Sequence, residues 1–323
     1  MKTFLSGVAL AAALAVSSTA QAQAKWNMPV PYPDATFHTQ NDLKFAADVK
    51  ARTGGALEIT VHPAGSLIKH PEIKNAVRSG QAQIGELLLS LLSNENPLFD
   101  DAVPFFANSY DAAWKLYQAS KKPVADLLAR QNLVLLYAVA WPPQGLYSSK
   151  EIKTVDDMKG LKFRAYNTAT ERIAQLSGAV PTQIEVPDVP QAFSTGRVEA
   201  MITSSSTGVT SKAWDFLKYY YDLQAWLPKN IIVVNKDAFD GLDAKTRTAL
   251  LEAAAEAEKR GWEMSRAENE KQMKALADNG IKVQQPSAEL AAAFRKMGET
   301  MVQEWTKKAG AEGQKVADAY RKM

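Results

Sequence analysis

An arginine stands where a short apolar segment meets the start of a helix-like pattern. The segment GLKFRAYNTATERIAQLSG, residues 160–178, places Arg164 at the end of a strand-like stretch and Asn167 three residues later. A guanidinium group is a planar fork of donors that matches the two oxygens of a carboxylate. From the residues alone, Arg164 is either a solvated surface cation or the anchor of an anionic ligand. Asn167 is equally suited to contact a ligand or to cap the helix that follows.

Residues that could carry catalysis do not form a recognisable motif. The hydroxyl-rich segment TSSST, residues 203–207, has no histidine beside it, and the G-x-S-x-G, H-E-x-x-H, P-loop and G-x-G-x-x-G patterns are absent from the sequence. The pairs Asp100–Asp101 and Asp156–Asp157 are expected in a loop and at a helix cap, not in acid–base catalysis. We predict no catalytic residues and no enzyme. An exported serine hydrolase that uses His38 or His62 is the alternative from another class.

Composition excludes several other classes of protein. The chain has 323 residues, of which 46% are hydrophobic and 23% charged, enough for a buried core and two domains. The 38 basic and 35 acidic residues are mixed along the chain without a basic block, so no nucleic-acid partner is predicted. Because there is no cysteine and only three histidines, disulfides, thiol catalysis and a zinc site are not expected. No metal and no cofactor is predicted.

The first 24 residues, MKTFLSGVALAAALAVSSTAQAQA, read as a secretory signal peptide. A lysine precedes an apolar stretch from Phe4 to Val16, and small residues end in Ala-x-Ala, which predicts cleavage after Ala22 or Ala24. The apolar stretch is shorter than the ~20 residues needed to span a bilayer. An exported chain without cysteine fits the bacterial periplasm.

The order of elements that must position these residues predicts an α/β fold. Strand-like and helix-like segments alternate over the first two thirds of the chain, which favours mainly parallel sheets. LVLLYAVAW, residues 133–141, is an apolar run typical of a strand buried on both faces. A long Ala/Glu/Lys-rich helix is predicted from Ala244 to Asn279, followed by a short strand and a last helix. Their apolar positions do not keep a strict heptad, so we expect helices packed across the domains and not a coiled-coil arm.

At residues 154–201 the pattern becomes specific. The pieces KGLKFR, SGAVPT and QAFSTGRVEA occur in the order and spacing of the substrate-binding proteins of tripartite ATP-independent periplasmic (TRAP) transporters of the DctP type, which the chain resembles over nearly its whole mature length. The resemblance implies a two-domain periplasmic-binding-protein fold with a long domain-spanning helix. It implies hinges near 141–144 and 229–230. The implied domains are 25–141 with about 230–269, and 142–229 with about 270–323.

A receptor of this family captures an organic acid between its two domains and delivers it to membrane permease subunits. Ligand that touches both domains shifts the population to the closed form. By the resemblance, Arg164 matches the family's signature arginine and is expected to hold the carboxylate. A periplasmic monomer is expected. A dimeric scaffold built on the C-terminal helices is a third alternative.

The resemblance also implies further ligand contacts around the cleft. They are the polar residues Asn167, Thr203, Ser204, Gln144 and Ser90, the aromatic residues Trp141, Tyr166 and Trp226, and the apolar residue Leu88. The segment PYPDATFH, residues 31–38, is expected to add a wall through Tyr32, Phe37 or His38.

Two departures from the family's pattern bear on the ligand. Gln144 and Gly145 stand where binders of sugar acids often have a second arginine, and Leu88-Leu89-Ser90 stands where they place polar or charged groups. Fewer anion contacts and more apolar groups favour an aromatic or hydrophobic monocarboxylate. A small dicarboxylate or a sugar acid is the alternative within the same receptor role.

Overall fold

The structure, a computed structural model, describes residues 23–323, so most of the predicted signal peptide lies outside the described residues. Its strands are β1 (Ala24–Pro29), β2 (Leu57–His62), β3 (Ile84–Leu88), β4 (Leu133–Ala140), β5 (Gln144–Ser148), β6 (Lys162–Ala165), β7 (Val180–Gln183), β8 (Ala200–Ser204), β9 (Tyr219–Tyr221), β10 (Lys229–Asn235) and β11 (Lys282–Gln284). Its α-helices are α1 (Phe37–Arg52), α2 (His70–Arg78), α3 (Tyr110–Ala129), α4 (Thr168–Leu176), α5 (Val189–Ser194), α6 (Ser205–Thr210), α7 (Lys236–Asp240), α8 (Ala244–Asp278) and α9 (Ala288–Arg321).

The strands form two separate groups. In the first, β3, β10 and β4 make a sheet in that order, next to the parallel pair β1–β2. In the second, six strands follow the order β11-β9-β5-β8-β6-β7. Helices cover both groups, which confirms the predicted α/β class.

The expectation of mainly parallel sheets is wrong at two strands. Both β5 and β10 run antiparallel to the neighbours on either side of them. Each of these strands enters its sheet directly from the other group, through a short crossing segment. Neighbouring strands run parallel when a helical crossover joins them within one sheet. The chain reaches β5 and β10 from the other sheet without such a crossover.

The two crossing segments, residues 141–143 and 222–228, lie side by side. The Trp141 N–H donates to the Pro228 carbonyl at 2.8 Å, and the Gln144 N–H donates to the Trp226 carbonyl at 3.0 Å. The Ala225 N–H returns a bond to the Gln144 carbonyl at 3.0 Å. These bonds hold together the segments where hinges are predicted. The hinge role and the domain boundaries stay predictions.

The long helix α8 has 35 residues and packs against both groups of strands. It contacts α1 and β4 in the first group, and α6 and β11 in the second. A Cβ added at Gly261 would lie 2.4 Å from a methyl carbon of Val139, so glycine here permits the close approach of α8 to β4. Among residues 23–323, no helix combines the length and apolar character needed to cross a membrane.

Candidate ligand-binding site

A cavity lies beside the crossing segments, between the two groups of strands, with about 280 Å³ of empty space when its opening to solvent is included. Leu88 ends β3, Ser204 ends β8, and Arg164 is the last but one residue of β6. The carboxyl ends of strands from both sheets therefore meet at the cavity, which is where open α/β sheets bind ligands. The lining residues are Tyr32, Leu88, Trp141, Gln144, Arg164, Tyr166, Val186, Thr203, Ser204, Thr207 and Pro228.

Arg164 is the cationic side chain of this lining, and it is 1% exposed. Its Nε–H donates to the Ile184 carbonyl at 3.0 Å, and its guanidinium carbon lies 4.8 Å from the centre of the Tyr166 ring. Its Nη1 is buried and has no hydrogen-bond partner. Burial lowers the pKa of Arg164 from its ordinary value, yet an arginine stays charged in a protein. A buried cation with an unused donor is suited to an anion.

Tyr166 and Gln144 line the cavity beside Arg164, and hydrogen bonds fix the orientation of the Gln144 amide. The Tyr166 hydroxyl donates to Gln144 Oε1 at 2.9 Å, and Gln144 Nε2 donates to the Pro142 carbonyl at 2.8 Å. The amide oxygen of Gln144 therefore keeps a lone pair near the cavity. Trp226, predicted at the cleft, is a fully buried residue of the crossing segment 222–228 and is not among the residues that line the cavity.

The hydroxyl-rich segment supplies the opposite wall. Thr203, Ser204 and Thr207 line the cavity, and the Ser204 side chain caps α6 by accepting the Thr207 N–H at 3.1 Å. Neither candidate histidine is placed to activate these hydroxyls. His38 Nδ1 lies 3.3 Å from Glu86, and His62 Nε2 contacts Asn27 at 2.9 Å. The arrangement provides hydroxyl contacts for a ligand, and the contacts of His38 and His62 are with Glu86 and Asn27.

Asn167 and Ser90 bond to each other instead of lining the cavity. Asn167 Nδ2 donates to Ser90 Oγ at 2.9 Å, and Asn167 Oδ1 accepts the Thr170 N–H as the cap of α4. Next to them, the hydroxyls of Ser93 and Thr168 are 2.7 Å apart. These contacts join the two groups of strands, so the cleft is closed at this seam.

On another part of the cleft, His70 Nδ1 meets Glu185 Oε2 at 3.1 Å. The sequence carries no signal for this contact, because its partners are 115 positions apart. Tyr32 does line the cavity, as the segment 31–38 was expected to do. Phe37 and His38 do not, because both rings pack against Trp141.

The two carboxylate pairs differ in their surroundings. Asp157 accepts the N–H groups of Lys153 and Thr154, which confirms the predicted cap. Asp101 forms a buried ion pair with Lys229 at 2.9 Å. Asp100 is half-buried in a groove between the two groups of strands, where burial raises its pKa to about 7 despite a hydrogen bond from the Ala102 N–H.

Asp100→Asn should flatten the pH dependence of stability. Because the folded protein holds the Asp100 proton more tightly than the unfolded chain does, stability falls as pH rises from 3.8 through about 7. Between pH 5 and pH 8 we expect the wild type to lose ~1–2 kcal/mol more than the variant, allowing for partial exposure. Urea unfolding at both pH values measures this difference, and equal losses would contradict it. Asp188→Asn, an exposed carboxylate, is the control.

No group of three or more histidine, aspartate or glutamate side chains among residues 23–323 is placed to hold a metal ion. The cavity's lining contains one charged residue, together with aromatic, amide and hydroxyl groups. Chemically, it can bind a small anion through Arg164 and surround it with a mixed apolar and polar wall.

Comparison with known proteins agrees with this chemistry. The family model described as "Bacterial extracellular solute-binding protein, family 7" (DctP) matches residues 30–308. The chain is 49% identical to DctP7, a Bordetella pertussis extracytoplasmic solute receptor binding pyroglutamic acid; the match covers 92% of this chain and 99% of that one, with a TM-score of 0.91.

Of two further comparisons, one repeats this solute and the other names a different one. A marine metagenome TRAP solute-binding protein specific for pyroglutamate is 42% identical, with 94% of this chain and 100% of that chain covered and a TM-score of 0.92. The C4-dicarboxylate-binding periplasmic protein DctP of Rhodobacter capsulatus is 27% identical over 83% of this chain and 82% of its own length.

Proposed function

The chain belongs to the DctP family of bacterial extracellular solute-binding proteins, the solute receptors of TRAP transporters, and we propose that its solute is pyroglutamate or a closely related small ring monocarboxylate. Receptors of this family bind small carboxylates and work with membrane permease components. The observation that carries the choice of an acid is the buried Nη1 of Arg164, which has no hydrogen-bond partner and belongs to a side chain that lines the cavity. The two pyroglutamate receptors similar to this chain support the choice of ring.

The polarity of the cavity lining fits such a ligand, with one cationic side chain among amide, hydroxyl and apolar groups. Arg164 would take the carboxylate. The lactam N–H and C=O of pyroglutamate need one acceptor and one donor, and the Gln144 amide oxygen and the hydroxyls of Thr203 and Thr207 provide them.

Pyroglutamate agrees only in part with the acid that the sequence predicts. Pyroglutamate has the single carboxylate that was expected, but its lactam ring is neither aromatic nor hydrophobic, and the prediction of an aromatic or hydrophobic monocarboxylate is not confirmed. A small dicarboxylate is the second candidate, favoured by the similarity to the Rhodobacter capsulatus protein. It would place a second charge in a cavity lined by one arginine.

We also propose how the chain is processed and how it moves. Proteins of this family are periplasmic, and we propose cleavage of the signal peptide after Ala22. In support, the Ala24 N–H donates to the Ala56 carbonyl at the start of β1, a bond that cleavage after Ala24 would remove.

The domains would be 25–141 with about 230–269 and 142–229 with about 270–323. They would close over the ligand about the two crossing segments.

A thermal-shift and calorimetry screen of the mature protein tests this function. Pyroglutamate, succinate, glucuronate and benzoate are compared at equal concentration, and an ester substrate is assayed in parallel. We expect the largest stabilisation with pyroglutamate, since a ligand at ~1,000 times its Kd adds ~4 kcal/mol. Preference for another of these acids would overturn the proposed solute. Ester turnover without any shift would overturn the receptor role in favour of the hydrolase.

A further inference from the structure

In the hydrogen bond between His70 and Glu185, the donor and the acceptor can be assigned from the other contact of the His70 ring. His70 Nε2 accepts the Leu88 N–H at 3.1 Å, so this ring nitrogen carries no proton. The proton of the neutral ring is therefore on Nδ1, and it is donated to Glu185 Oε2 at 3.1 Å. The His70 side chain is 7% exposed, and that of Glu185 is 26% exposed. A carboxylate from one side of the cleft is thus held by a neutral donor from the other side.

Glu185 is held at the edge of the cavity by its neighbours in the chain. The carbonyl of Ile184, directly before it, accepts the Arg164 Nε–H, and Val186, directly after it, lines the cavity. On the other side of the contact, the His70 ring lies 5.6 Å from the ring of Tyr32, which is also a lining residue. Both partners of the contact therefore adjoin the cavity wall.

Glu185 keeps its negative charge in this position. Burial acts to raise the pKa of Glu185, but the hydrogen bond from His70, the electrostatic interaction with that ring and the positive charge of Arg164 outweigh it, and the pKa lies below its ordinary value. The charge also acts on the cavity, because Glu185 interacts electrostatically with both Arg164 and Tyr32.

We propose that Glu185, held across the cleft by His70, restricts the site to ligands with a single negative charge by repelling a second carboxylate. This inference rests on the proposed function, since it takes the cavity at Arg164 as the ligand site. A monocarboxylate leaves the charge of Arg164 neutralised and the charge of Glu185 solvated by its hydrogen bonds. A second carboxylate would lie near Glu185 without a cation of its own, in a site lined by buried side chains, where charges are weakly screened.

The experiment compares two acids with the same number of carbon atoms. Glutarate has five carbons like pyroglutamate, but it has two carboxylates and no ring. Calorimetry on the mature protein gives the Kd of each acid, with displacement of bound pyroglutamate as the readout where glutarate binds weakly. The variants are Glu185→Gln, which keeps an oxygen to accept the His70 N–H, and Asp188→Asn. Asp188 is exposed in the same segment, so its variant matches the change in net charge.

We expect Glu185→Gln to reduce the preference for pyroglutamate over glutarate at least tenfold, which is about 1.4 kcal/mol. Asp188→Asn should change the preference less than about twofold. A merely structural role of Glu185 would weaken both acids together and leave their ratio unchanged. If the wild type binds pyroglutamate and the ratio is unchanged in Glu185→Gln, this inference is overturned and the proposed function stands. A wild type that does not bind pyroglutamate would overturn the proposed function first.

Discussion

Replacing Arg164 with alanine should weaken pyroglutamate binding by ~2–5 kcal/mol, which is at least about thirtyfold in Kd. The buried Nη1 of Arg164 has no partner in the protein, so the ligand carboxylate supplies the missing acceptor. In the variant, the carboxylate would enter a closed cavity whose lining holds no other cation. Calorimetric titration of the purified variant measures the loss directly, and an unchanged Kd would refute the anchor role.

The same substitution should leave folding almost intact. Without ligand, Arg164 is a buried charge with one hydrogen bond to the Ile184 carbonyl and a contact with the Tyr166 ring. Losing these contacts is offset by removing the cost of burying the charge, so the free energy of unfolding should change by ~1 kcal/mol or less. Arg197→Ala, which removes an exposed arginine, is the matched control and should affect neither quantity. A large loss of stability would mean that Arg164 is mainly structural.

The sequence could predict those site residues that lie at the carboxyl ends of strands. Arg164 ends a strand-like run and precedes a helix cap, a pattern that is local in the chain and that the fold preserves. Thr203 and Ser204 follow the same logic at the end of β8, and both line the cavity. Residues at the carboxyl ends of neighbouring strands must come together, whatever the details of the loops.

The sequence could not predict which side chains from the two sides of the cleft contact each other. His70 and Glu185 come from opposite sides of the cleft, and so do Ser90 and Asn167. In the sequence, His70 and Glu185 look like ordinary polar residues, and Ser90 and Asn167 look like ligand contacts and not like partners of each other. The surroundings of aromatic side chains are similarly hidden, since Trp226 is fully buried and is not among the residues that line the cavity. The aromatic ligand was inferred partly from that residue.

The largest effect on stability is expected at the ion pair of Lys229 and Asp101. Lys229 Nζ lies 2.9 Å from Asp101 Oδ2, and the two side chains are 1% and 6% exposed. The Lys229 backbone N–H donates to the same oxygen at 2.8 Å. Burial raises the pKa of Asp101 even though Lys229 lowers it, so the cost of burying the carboxylate exceeds what its partner returns. The intact pair should therefore add little to stability, while breaking it should be costly.

Lys229→Met should lower the free energy of unfolding by ~3–5 kcal/mol at pH 7, because it leaves Asp101 buried without its cation. The double variant Asp101→Leu/Lys229→Met removes both charges and should recover much of that loss, so the effects of the two single variants will not add. Urea unfolding of the wild type, both single variants and the double variant completes the cycle. Additive losses would mean that the two side chains do not interact. Since Lys229 is the first residue of β10 after a crossing segment, the cycle also tests whether this buried pair anchors the proposed hinge to its sheet.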